Sequence, residues 1–325
     1  MKILITGSAG FIGFHTTKFF LEKGYDVVGI DNLNHYYDVK LKKARNAILL
    51  KYKNYYFKKI NINSFKEVKK IFSKNKFDFV LHLAAQAGVR YSLKNPESYI
   101  DTNLKGFFNV IENCKRSRIK KFIYASSSSV YGLNKNRFFS ESDSAVNPIQ
   151  LYAATKRANE LIAHAYSCLY KIKTTGLRFF TVYGPWGRPD MSLFLFTEKI
   201  LNKKKIDIFN NGDHYRDFTY IDDIVRGIFL STKNIKKFNY YKESFFNIFN
   251  IASGRSIKLT KFIELIEKKL NLKAIRNYKK IQKGDIIRTS GSIKKIRNIL
   301  GYKPKVDIQK GINNFIEWYL DYNKK

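Results

Sequence analysis

Tyr152 and Lys156 lie four residues apart at the start of a stretch, residues 152–163, whose pattern predicts a helix. Side chains at positions i and i+4 of a helix share a face, so the phenol and the ammonium are expected side by side. A nearby cation favours the phenolate and lowers the pKa of a tyrosine from its ordinary value near ~10. Such a pair can take the proton of a sugar or alcohol hydroxyl near neutral pH. By itself, it also fits an ordinary amphipathic helix with the tyrosine inward and the lysine outward.

A run of four serines, residues 126–129, follows a predicted strand and precedes this pair in the chain. Alone, such a run fits a plain polar loop. Combined with the Tyr/Lys pair downstream, Ser127 is a candidate hydroxyl donor that would complete a Ser–Tyr–Lys site.

Gly7, Gly10 and Gly13 follow an apolar run, residues 2–6, that predicts a buried parallel strand. A helix pattern at residues 14–23 comes next. Glycines at this spacing suit a tight turn between strand and helix, where the backbone can approach a pyrophosphate at the helix N-terminus. The segment therefore predicts a nucleotide-binding turn. Because the apolar run begins at the second residue, we also expect that no signal peptide precedes it.

Asp31 ends a second predicted strand, residues 26–30, at about the distance from the glycines (~20 residues) where a ribose-binding carboxylate is expected. Its carboxylate can accept hydrogen bonds from the ribose hydroxyls and would repel a 2′-phosphate. Asn32 follows, and the next Lys or Arg in the chain is Lys40. The segment therefore favours NAD over NADP.

The composition is that of a folded globular protein, since 44% of the 325 residues are hydrophobic. No apolar run approaches the ~20 residues of a membrane span. Two cysteines, Cys114 and Cys168, are too few for a disulfide framework or a metal cluster and fit a reducing compartment. We therefore expect a cytoplasmic protein with no membrane partner and no bound metal.

Lys and Arg together number 61 against 26 Asp and Glu, which makes the formal net charge +35. Such a charge can mark a surface that binds nucleic acid or a membrane. However, the lysines are scattered without a basic stripe, and the residues of A/T-rich codons are all abundant. We interpret the charge as compositional bias and expect no nucleic-acid partner, although the charge would still attract acidic substrates such as nucleotide sugars.

The first half of the chain alternates predicted strands with predicted helices, the βαβ rhythm of a doubly wound parallel sheet. The predicted strands cover residues 2–6, 26–30, 55–59, 79–83 and 121–125, and the predicted helices cover residues 14–23, 40–51, 65–74, 96–115 and 152–163. Ligands of such sheets lie beyond the carboxyl ends of the strands, where most of the motifs fall. From about residue 179 the elements become shorter, which predicts a smaller C-terminal substrate region.

Five segments resemble the extended short-chain dehydrogenase/reductase superfamily, within it the NAD-dependent epimerase/dehydratase family, and most closely its UDP-glucuronate 4-epimerases. These segments are residues 5–15, 29–34, 83–92, 179–191 and 216–224. The resemblance implies an α/β fold, with a Rossmann-type doubly wound parallel sheet and a smaller α/β C-terminal substrate region. Residues 1–178 would form the NAD-binding domain, to which a segment near 215–235 returns, and residues 179–325 would mainly bind the UDP-sugar.

The resemblance also implies residue roles. Tyr152 is the catalytic base and acid, Lys156 lowers its pKa and holds the nicotinamide ribose, and Ser127 bonds the reacting hydroxyl. The NAD-binding residues are Gly7, Gly10, Phe11, Ile12, Gly13, Asp31, Asn32, Asn61, Ile62, Leu83, Ala84, Ala85 and Lys156. The substrate-binding residues are Arg90, Ser127, Ser128, Tyr152, Thr181, Arg188, Asn210, Arg216 and Asp285, of which Arg216 reaches the UDP phosphates.

Arg90 and Arg188 both match family arginines near the sugar end. Either can pair bidentately with the C6 carboxylate of a uronate, and either can have a surface or structural role instead. The chain departs from the family pattern in two places. Asn61 stands near the position of the usual adenine-binding Asp, where its amide can pair with adenine, and Ser292 is expected to cap a helix where Ala-Asp is common.

The implied activity is NAD-dependent 4-epimerisation of UDP-glucuronate to UDP-galacturonate through a transient 4-keto sugar, by an isomerase of polysaccharide biosynthesis. Related decarboxylases and dehydratases place an acid just before Val-Tyr-Gly, where this chain has Ser129. That difference favours epimerisation. The alternatives are a UDP-glucose or UDP-N-acetylglucosamine 4-epimerase, a UDP-glucuronate decarboxylase, and a non-catalytic nucleotide- or nucleic-acid-binding protein. The family is commonly dimeric through helices that include the Tyr152–Lys156 one, so we expect a homodimer.

Overall fold

A computed structural model of the protein describes residues 1–134, 136, 138–233, 244–281 and 286–324. The strands in these ranges are β1 (Lys2–Thr6), β2 (Asp26–Asp31), β3 (Tyr55–Lys59), β4 (Phe79–His82), β5 (Lys121–Ser127), β6 (Lys173–Phe179), β7 (Thr181–Tyr183), β8 (Ile206–Phe209), β9 (Tyr215–Tyr220), β10 (Phe246–Ile251), β11 (Ser256–Lys258) and β12 (Arg276–Lys279). Seven of them form one parallel sheet in the order β10-β6-β5-β4-β1-β2-β3. This arrangement confirms the predicted doubly wound, Rossmann-like α/β fold.

The helices are α1 (Phe11–Glu22), α2 (Val39–Leu49), α3 (Phe65–Ser73), α4 (Glu97–Tyr99), α5 (Phe107–Arg116), α6 (Leu151–Tyr170), α7 (Ser192–Leu201), α8 (Ile221–Ser231), α9 (Leu259–Leu270), α10 (Lys294–Leu300) and α11 (Ile308–Asn323). Strands β1 and β3 have their predicted bounds, and the helix of the Tyr/Lys pair runs further than predicted, to Tyr170. Helix α1 begins three residues earlier than predicted, because the glycine turn winds directly into it.

The helix predicted at residues 96–115 has a π-helical segment, Ile100–Gly106, between α4 and α5. Single π turns inside helices are often found at functional sites. Asn103 lies in this segment and is buried. Its side-chain oxygen accepts from Gln86 N at 2.8 Å, and its amide nitrogen donates to Gln86 O at 3.0 Å. The segment therefore holds the chain that follows β4.

The chain beyond residue 179 adds smaller elements and also returns to the large sheet. Strands β7, β9 and β11 form a three-stranded sheet, and β8 pairs with β12. Strand β10 pairs with β6 at the edge of the large sheet. Helix α8 packs on α1, where the rings of Phe229 and Phe19 are 5.2 Å apart. The division at residue 178 into a cofactor domain and a substrate region stays a prediction.

One local expectation is wrong. Ser292 does not cap α10, whose N-cap is Ile293 and has no side-chain cap hydrogen bond. Ser292 Oγ instead lies 3.5 Å from Lys294 N, at the limit of a hydrogen bond.

Across the described ranges, no helix is long and apolar enough to cross a membrane.

Candidate active site

The carboxyl ends of β1, β2, β4 and β5 open onto a cavity of about 410 Å³. This volume lies in the range of small-molecule sites, roughly 300–1,000 Å³. The predicted residues that line it are Gly7, Gly10, Phe11, Ile12, Gly13, Asp31, Asn32, Ile62, Leu83, Ala84, Ala85, Ser127, Ser128, Tyr152, Lys156, Thr181, Arg188 and Arg216. The structure thus brings most of the sequence-predicted site residues together around one cavity.

The glycine turn is packed too closely for side chains. Gly7 has a φ of +73°, and a Cβ on it would lie 2.8 Å from the backbone of Ala84. A Cβ on Gly13 would lie 1.9 Å from Gly7 O. The N-cap of α1 is Gly10, which makes no side-chain cap hydrogen bond, so the first backbone N–H groups of the helix can donate to an anion. The turn therefore fits the pyrophosphate of a dinucleotide.

Asp31 braces this turn. Its Oδ2 accepts from Ala9 N at 3.2 Å, and its Oδ1 accepts from Leu33 N at 2.8 Å. Burial raises the pKa of Asp31, and the Leu33 N–H is the largest influence that lowers it. A carboxylate at this point fits free ribose hydroxyls and disfavours a 2′-phosphate.

Although the next basic residue along the chain after Asp31 is Lys40, the fold brings a lysine near this carboxylate. Lys42, on α2, lines the cavity, and its charge contributes to lowering the pKa of Asp31. The Nζ of Lys42 donates to Asn34 O at 2.8 Å, and burial lowers the pKa of Lys42 to about 8. The preference for NAD therefore depends on the carboxylate of Asp31 rather than on an absence of basic residues.

Tyr152 and Lys156 both line the cavity from α6, as the i, i+4 spacing predicts. Lys156 is almost fully buried, and its Nζ donates to Ala125 O at 2.9 Å. Burial lowers the pKa of Lys156 to about 7. The amine is thus anchored to the end of β5.

The pKa of Tyr152 differs from the expectation. Burial raises it, while a hydrogen bond from Ser127 and the charge of Arg188 act in the lowering direction. Arg188 is thus a cation that favours the phenolate in this structure, while the Nζ of Lys156 donates to a backbone carbonyl.

Ser127 is held by its neighbour. Its Oγ accepts from Ser129 Oγ at 2.8 Å and from Ser129 N at 3.2 Å. Ser129, the residue at the position of the acid in related decarboxylases, also lines the cavity. A neutral hydroxyl there both fills the acid position and orients the serine that bonds Tyr152.

A buried ion pair ties α6 to the strands below the site. The carboxylate of Glu160 accepts from Arg178 Nε on β6 and from Arg178 Nη2, both at 2.8 Å. Its Oε1 also accepts from Ser126 Oγ at 2.7 Å. Glu160 lies one turn after Lys156, so these bonds fix the helix over the serine run.

Arg188 lines the cavity and pairs with Asp190. Its Nε donates to Asp190 Oδ1 at 2.9 Å, and its Nη2 donates to Oδ2. The hydroxyl of Tyr36 donates to the same Oδ2 at 2.9 Å. Arg188 lowers the pKa of Asp190, so this pair is charged. The bonds to Asp190 therefore fix the orientation of the Arg188 guanidinium at the cavity.

Three described candidates lie outside the cavity lining. Arg90 is exposed and stands over the ring of Phe209 at 4.8 Å. Asn210 donates its side-chain amide to Asp213 O at 2.9 Å, within its own short turn. The side-chain oxygen of Asn61 accepts from Asn63 N at 3.1 Å, so it closes the turn before α3. A further candidate, Asp285, lies outside the described residues.

Arg216 and Thr181 are placed at another part of the lining, on β9 and β7. Arg216 Nη1 donates to Tyr215 O and to Ile287 O, both at 3.0 Å. These bonds hold the arginine beside the chain at residues 286–289, of which Ile286 and Thr289 also line the cavity.

Among the described residues, no three His, Cys, Asp or Glu side chains cluster as metal ligands do.

The sequence did not point to several lining residues. These are Asn34, Tyr36, Tyr37, Lys42, Gln86, Gln150 and Met191. A polar, Tyr-rich segment after β2, residues 32–38, was a signal for the first three, because a long polar loop at the carboxyl end of a parallel strand lies over the ligand site. Gln86 and Met191 lie in segments 83–92 and 179–191, which carry the family resemblance, although neither was named as a site residue.

Comparisons with known proteins agree with this geometry. Residues 3–252 match the model of the NAD dependent epimerase/dehydratase family. UDP-glucuronate 4-epimerase 2 of Arabidopsis thaliana is 44% identical, over 100% of this chain and 77% of that protein. The crystal structure of UDP-glucuronic acid 4-epimerase from Bacillus cereus, with UDP-glucuronic acid and NAD, has a TM-score of 0.91 and 33% identity over 99% of this chain and 100% of that one.

A UDP-glucose 4-epimerase is also similar. The structure of that enzyme from Thermotoga maritima, with UDP-glucose, has a TM-score of 0.89 and 30% identity over 99% of this chain and 100% of that one. The fold is therefore shared by enzymes whose sugars differ at C6.

Proposed function

Since this chain belongs to the NAD dependent epimerase/dehydratase family, we propose that it interconverts UDP-glucuronate and UDP-galacturonate by inverting C4 of the sugar. The observation that carries the choice of a uronate is the position of Arg188. It lines the cavity near enough to Tyr152 to influence the pKa of the phenol. A guanidinium in the same cavity as the base suits a sugar whose carboxylate is attached to the carbon next to the reacting one.

NAD is the cofactor of this isomerase family, and the residues of the glycine turn and Asp31 fit it. In our proposal Gly7, Gly10 and Gly13 hold the pyrophosphate, Asp31 accepts from the ribose, and Lys156 lies at the nicotinamide end. When bound, NAD supplies a reversible two-electron acceptor, so a sugar alcohol can pass through its ketone without net oxidation.

Tyr152 is the proposed acid–base residue. It takes the proton of the 4-hydroxyl and returns it after the 4-keto sugar has turned its other face to the site. Ser127, which bonds Tyr152 and is itself bonded by Ser129, holds the reacting oxygen. Lys156 keeps a partly titrating amine, with a pKa of about 7, within the same cavity.

Arg188 is the proposed carboxylate-binding residue, in preference to Arg90. Arg188 faces the cavity, whereas Arg90 is exposed beside Phe209. The 4-keto intermediate of a uronate is a β-keto acid, which loses CO₂ easily. A carboxylate held on a guanidinium whose own position is set by Asp190 would keep its C–C bond out of line with the ketone.

Ser129 supports epimerisation over decarboxylation. It has a hydroxyl where related decarboxylases have an acid, and this hydroxyl donates a hydrogen bond to Ser127. At the other end of the substrate we assign Arg216 to the UDP phosphates, with Thr181 and Ser128 beside the sugar. Asn210 and Asp285 remain predictions of the resemblance.

The test is to incubate the purified protein with UDP-glucuronate, without added NAD, and to resolve the sugar nucleotides formed. UDP-galacturonate as the sole product is the expected result. UDP-xylose or a 4-keto pentose would replace the proposal with decarboxylation. Conversion of UDP-glucose or UDP-N-acetylglucosamine, with none of the uronate, would assign the enzyme to a neutral sugar.

A further inference from the structure

Arg45, on α2, is fully buried and joins two segments of the site. Its Nη1 donates to Ala9 O in the glycine turn at 3.0 Å. Its Nη2 donates to Trp186 O at 2.6 Å and to Gly187 O at 3.2 Å, directly before Arg188. One guanidinium therefore bonds both the turn that fits the cofactor and the loop that carries the proposed carboxylate-binding arginine.

The charge of Arg45 has no carboxylate hydrogen-bonded to it among the described residues; its remaining partner is the hydroxyl of Tyr37, at 2.7 Å from Nη1. Its Nε has no hydrogen-bond partner there. The charge of Arg45 also acts on Asp31, but burying a cation without a hydrogen-bonded carboxylate is costly compared with an apolar side chain of similar size. A core that needed only packing at this position would be served better by such a side chain.

The loop that Arg45 holds is strained. Trp186 has a φ of +60°, a left-handed conformation that is rare for a large side chain. Such strain persists only where the surroundings enforce it, and it concentrates at functional sites. His15 Nε2 donates to Pro185 O at 2.9 Å, one residue before the Arg45 contacts. The rings of Trp186 and Trp318 pack at 5.2 Å on the other side.

We propose that Arg45 is a positioning residue that couples the cofactor turn to the uronate-binding loop, an inference that rests on the proposed function. Both backbone polar groups of Ala9 are hydrogen-bonded to the site: its N–H donates to Asp31, and its carbonyl accepts from Arg45. The same guanidinium fixes the carbonyls of Trp186 and Gly187, which set the direction in which Arg188 leaves the loop. The position of the glycine turn and the direction of Arg188 thus depend on the same guanidinium.

Arginine suits this role better than lysine. Its planar fork presents two amino groups that diverge by a fixed angle, so one can bond Ala9 while the other bonds the loop. A lysine has a single ammonium and can bond one side firmly. A variant with lysine therefore keeps the charge and loses the coupling.

The test compares the full-length wild type with Arg45→Met, Arg45→Lys and a control, Val68→Ala. Val68 is fully buried on α3, in a different core cluster from Trp186, and lines no part of the site. Each protein is assayed for NAD that remains bound after purification and for KM and kcat with UDP-glucuronate. The share of decarboxylated product and Tm are measured as well.

Arg45→Met is expected to lose bound NAD and to raise KM about tenfold or more, since the net loss of one hydrogen bond from a charged donor corresponds to about that factor. The share of decarboxylated product is expected to rise, because Arg188 is no longer aimed. Arg45→Lys is expected to lie between Arg45→Met and wild type. Val68→Ala is expected to lower Tm without changing bound NAD, KM or the product share.

Wild-type NAD content, KM and product share in Arg45→Met would overturn the proposal, and so would equal changes in the Val68→Ala control. If Arg45→Met does not fold, unchanged values in Arg45→Lys overturn it instead. If the wild type converts UDP-glucose and not the uronate, the proposed substrate is wrong. NAD content and the KM for UDP-glucose then still test the coupling by Arg45.

Discussion

Arg188 and Asp190 are joined at two points, with Arg188 Nε 2.9 Å from Asp190 Oδ1 and Nη2 bonded to Oδ2. The two residues are separated only by Pro189, so the loop folds its own anion back onto its own cation. Tyr36, from the insertion after β2, donates to the same carboxylate at 2.9 Å. The guanidinium therefore stands in a fixed orientation before a substrate arrives, and the cost of ordering it is already met.

Replacing this guanidinium should affect a charged sugar far more than a neutral one. We expect Arg188→Met to lower kcat/KM for UDP-glucuronate by about 10–100-fold, since a charge-assisted contact is worth roughly 1.5–3 kcal/mol. Steady-state kinetics with product analysis checks this, and the decarboxylated share should rise. Arg90→Met is the matched control and should change neither value. Equal effects of the two substitutions would contradict the assignment of Arg188.

Removal of the Tyr152 hydroxyl should stop turnover without emptying the cofactor site. General acid–base catalysis contributes about 10²–10⁴-fold, so Tyr152→Phe should lower kcat by at least about 100-fold while the protein purifies with NAD bound. Tyr99→Phe is the control, because the Tyr99 ring lies 6.1 Å from that of Tyr152 and its hydroxyl donates to Ala87 O at 2.9 Å. Near-wild-type turnover in Tyr152→Phe would refute its role.

The hydroxyl at Ser129 should decide what happens to the 4-keto sugar. We expect Ser129→Glu to weaken binding of the uronate through like-charge repulsion and to shift the products towards decarboxylation, since an acid would stand where related decarboxylases have one. Ser129→Gln has nearly the same shape without the charge and should not produce the shift. The measurement is the ratio of UDP-galacturonate to pentose products. An unchanged ratio in Ser129→Glu would show that Ser129 does not determine the product.

The buried amine of Lys156 should destabilise the nucleotide-free fold in a pH-dependent way. Its pKa falls from 10.5 to about 7 on folding. Below pH 7 both folded and unfolded states carry the proton, so the full penalty, on the order of 5 kcal/mol, is present. Between about pH 7 and 10 the folded state is neutral while the unfolded state still binds the proton, so stability rises with pH.

Lys156→Met is therefore expected to stabilise the nucleotide-free protein most at about pH 6 and progressively less towards about pH 9. Denaturant unfolding at a series of pH values measures this. Lys171→Met, at the C-cap of the same helix, is the control, because that lysine is exposed. A stability difference that is independent of pH would contradict the lowered pKa of Lys156.

The expected homodimer can be tested on the exposed side of α6. Leu161 and Leu169 on this helix are 57% and 69% exposed, and Phe108 on α5 is 44% exposed. We expect light scattering after gel filtration to show a dimer and Leu161→Glu to shift it towards monomer, because burial of a carboxylate in an apolar interface is costly. Leu320→Glu on α11 is the control. A wild type that is monomeric by light scattering would contradict the expected homodimer.

Local patterns along the chain predicted five of the seven strands of the large sheet and the glycine turn between β1 and α1. Apolar runs of strand length, glycines at a turn and an acid after the second strand are determined over a few residues, so Gly7, Gly13 and Asp31 were found from them. The spacing of Tyr152 and Lys156, together with the serine run before them, also suggested a Ser127–Tyr152–Lys156 site, and the fold brings these residues to one cavity. These relationships depend on helix and strand periodicity, which acts within one element or between neighbours.

The tertiary structure decided everything that depends on distant segments meeting. It placed Lys42 beside Asp31, directed the Lys156 ammonium to Ala125 O, and made Arg188 the cation that acts on Tyr152. It also chose Arg188 over Arg90 as the arginine in the cavity. Burial and electric fields depend on which chain segments pack together, and no spacing along the chain encodes that. Tyr152, Lys156 and Ser127 were therefore recognisable from the sequence, while the burial of the first two and the charge of Arg188 near Tyr152 were visible only after folding.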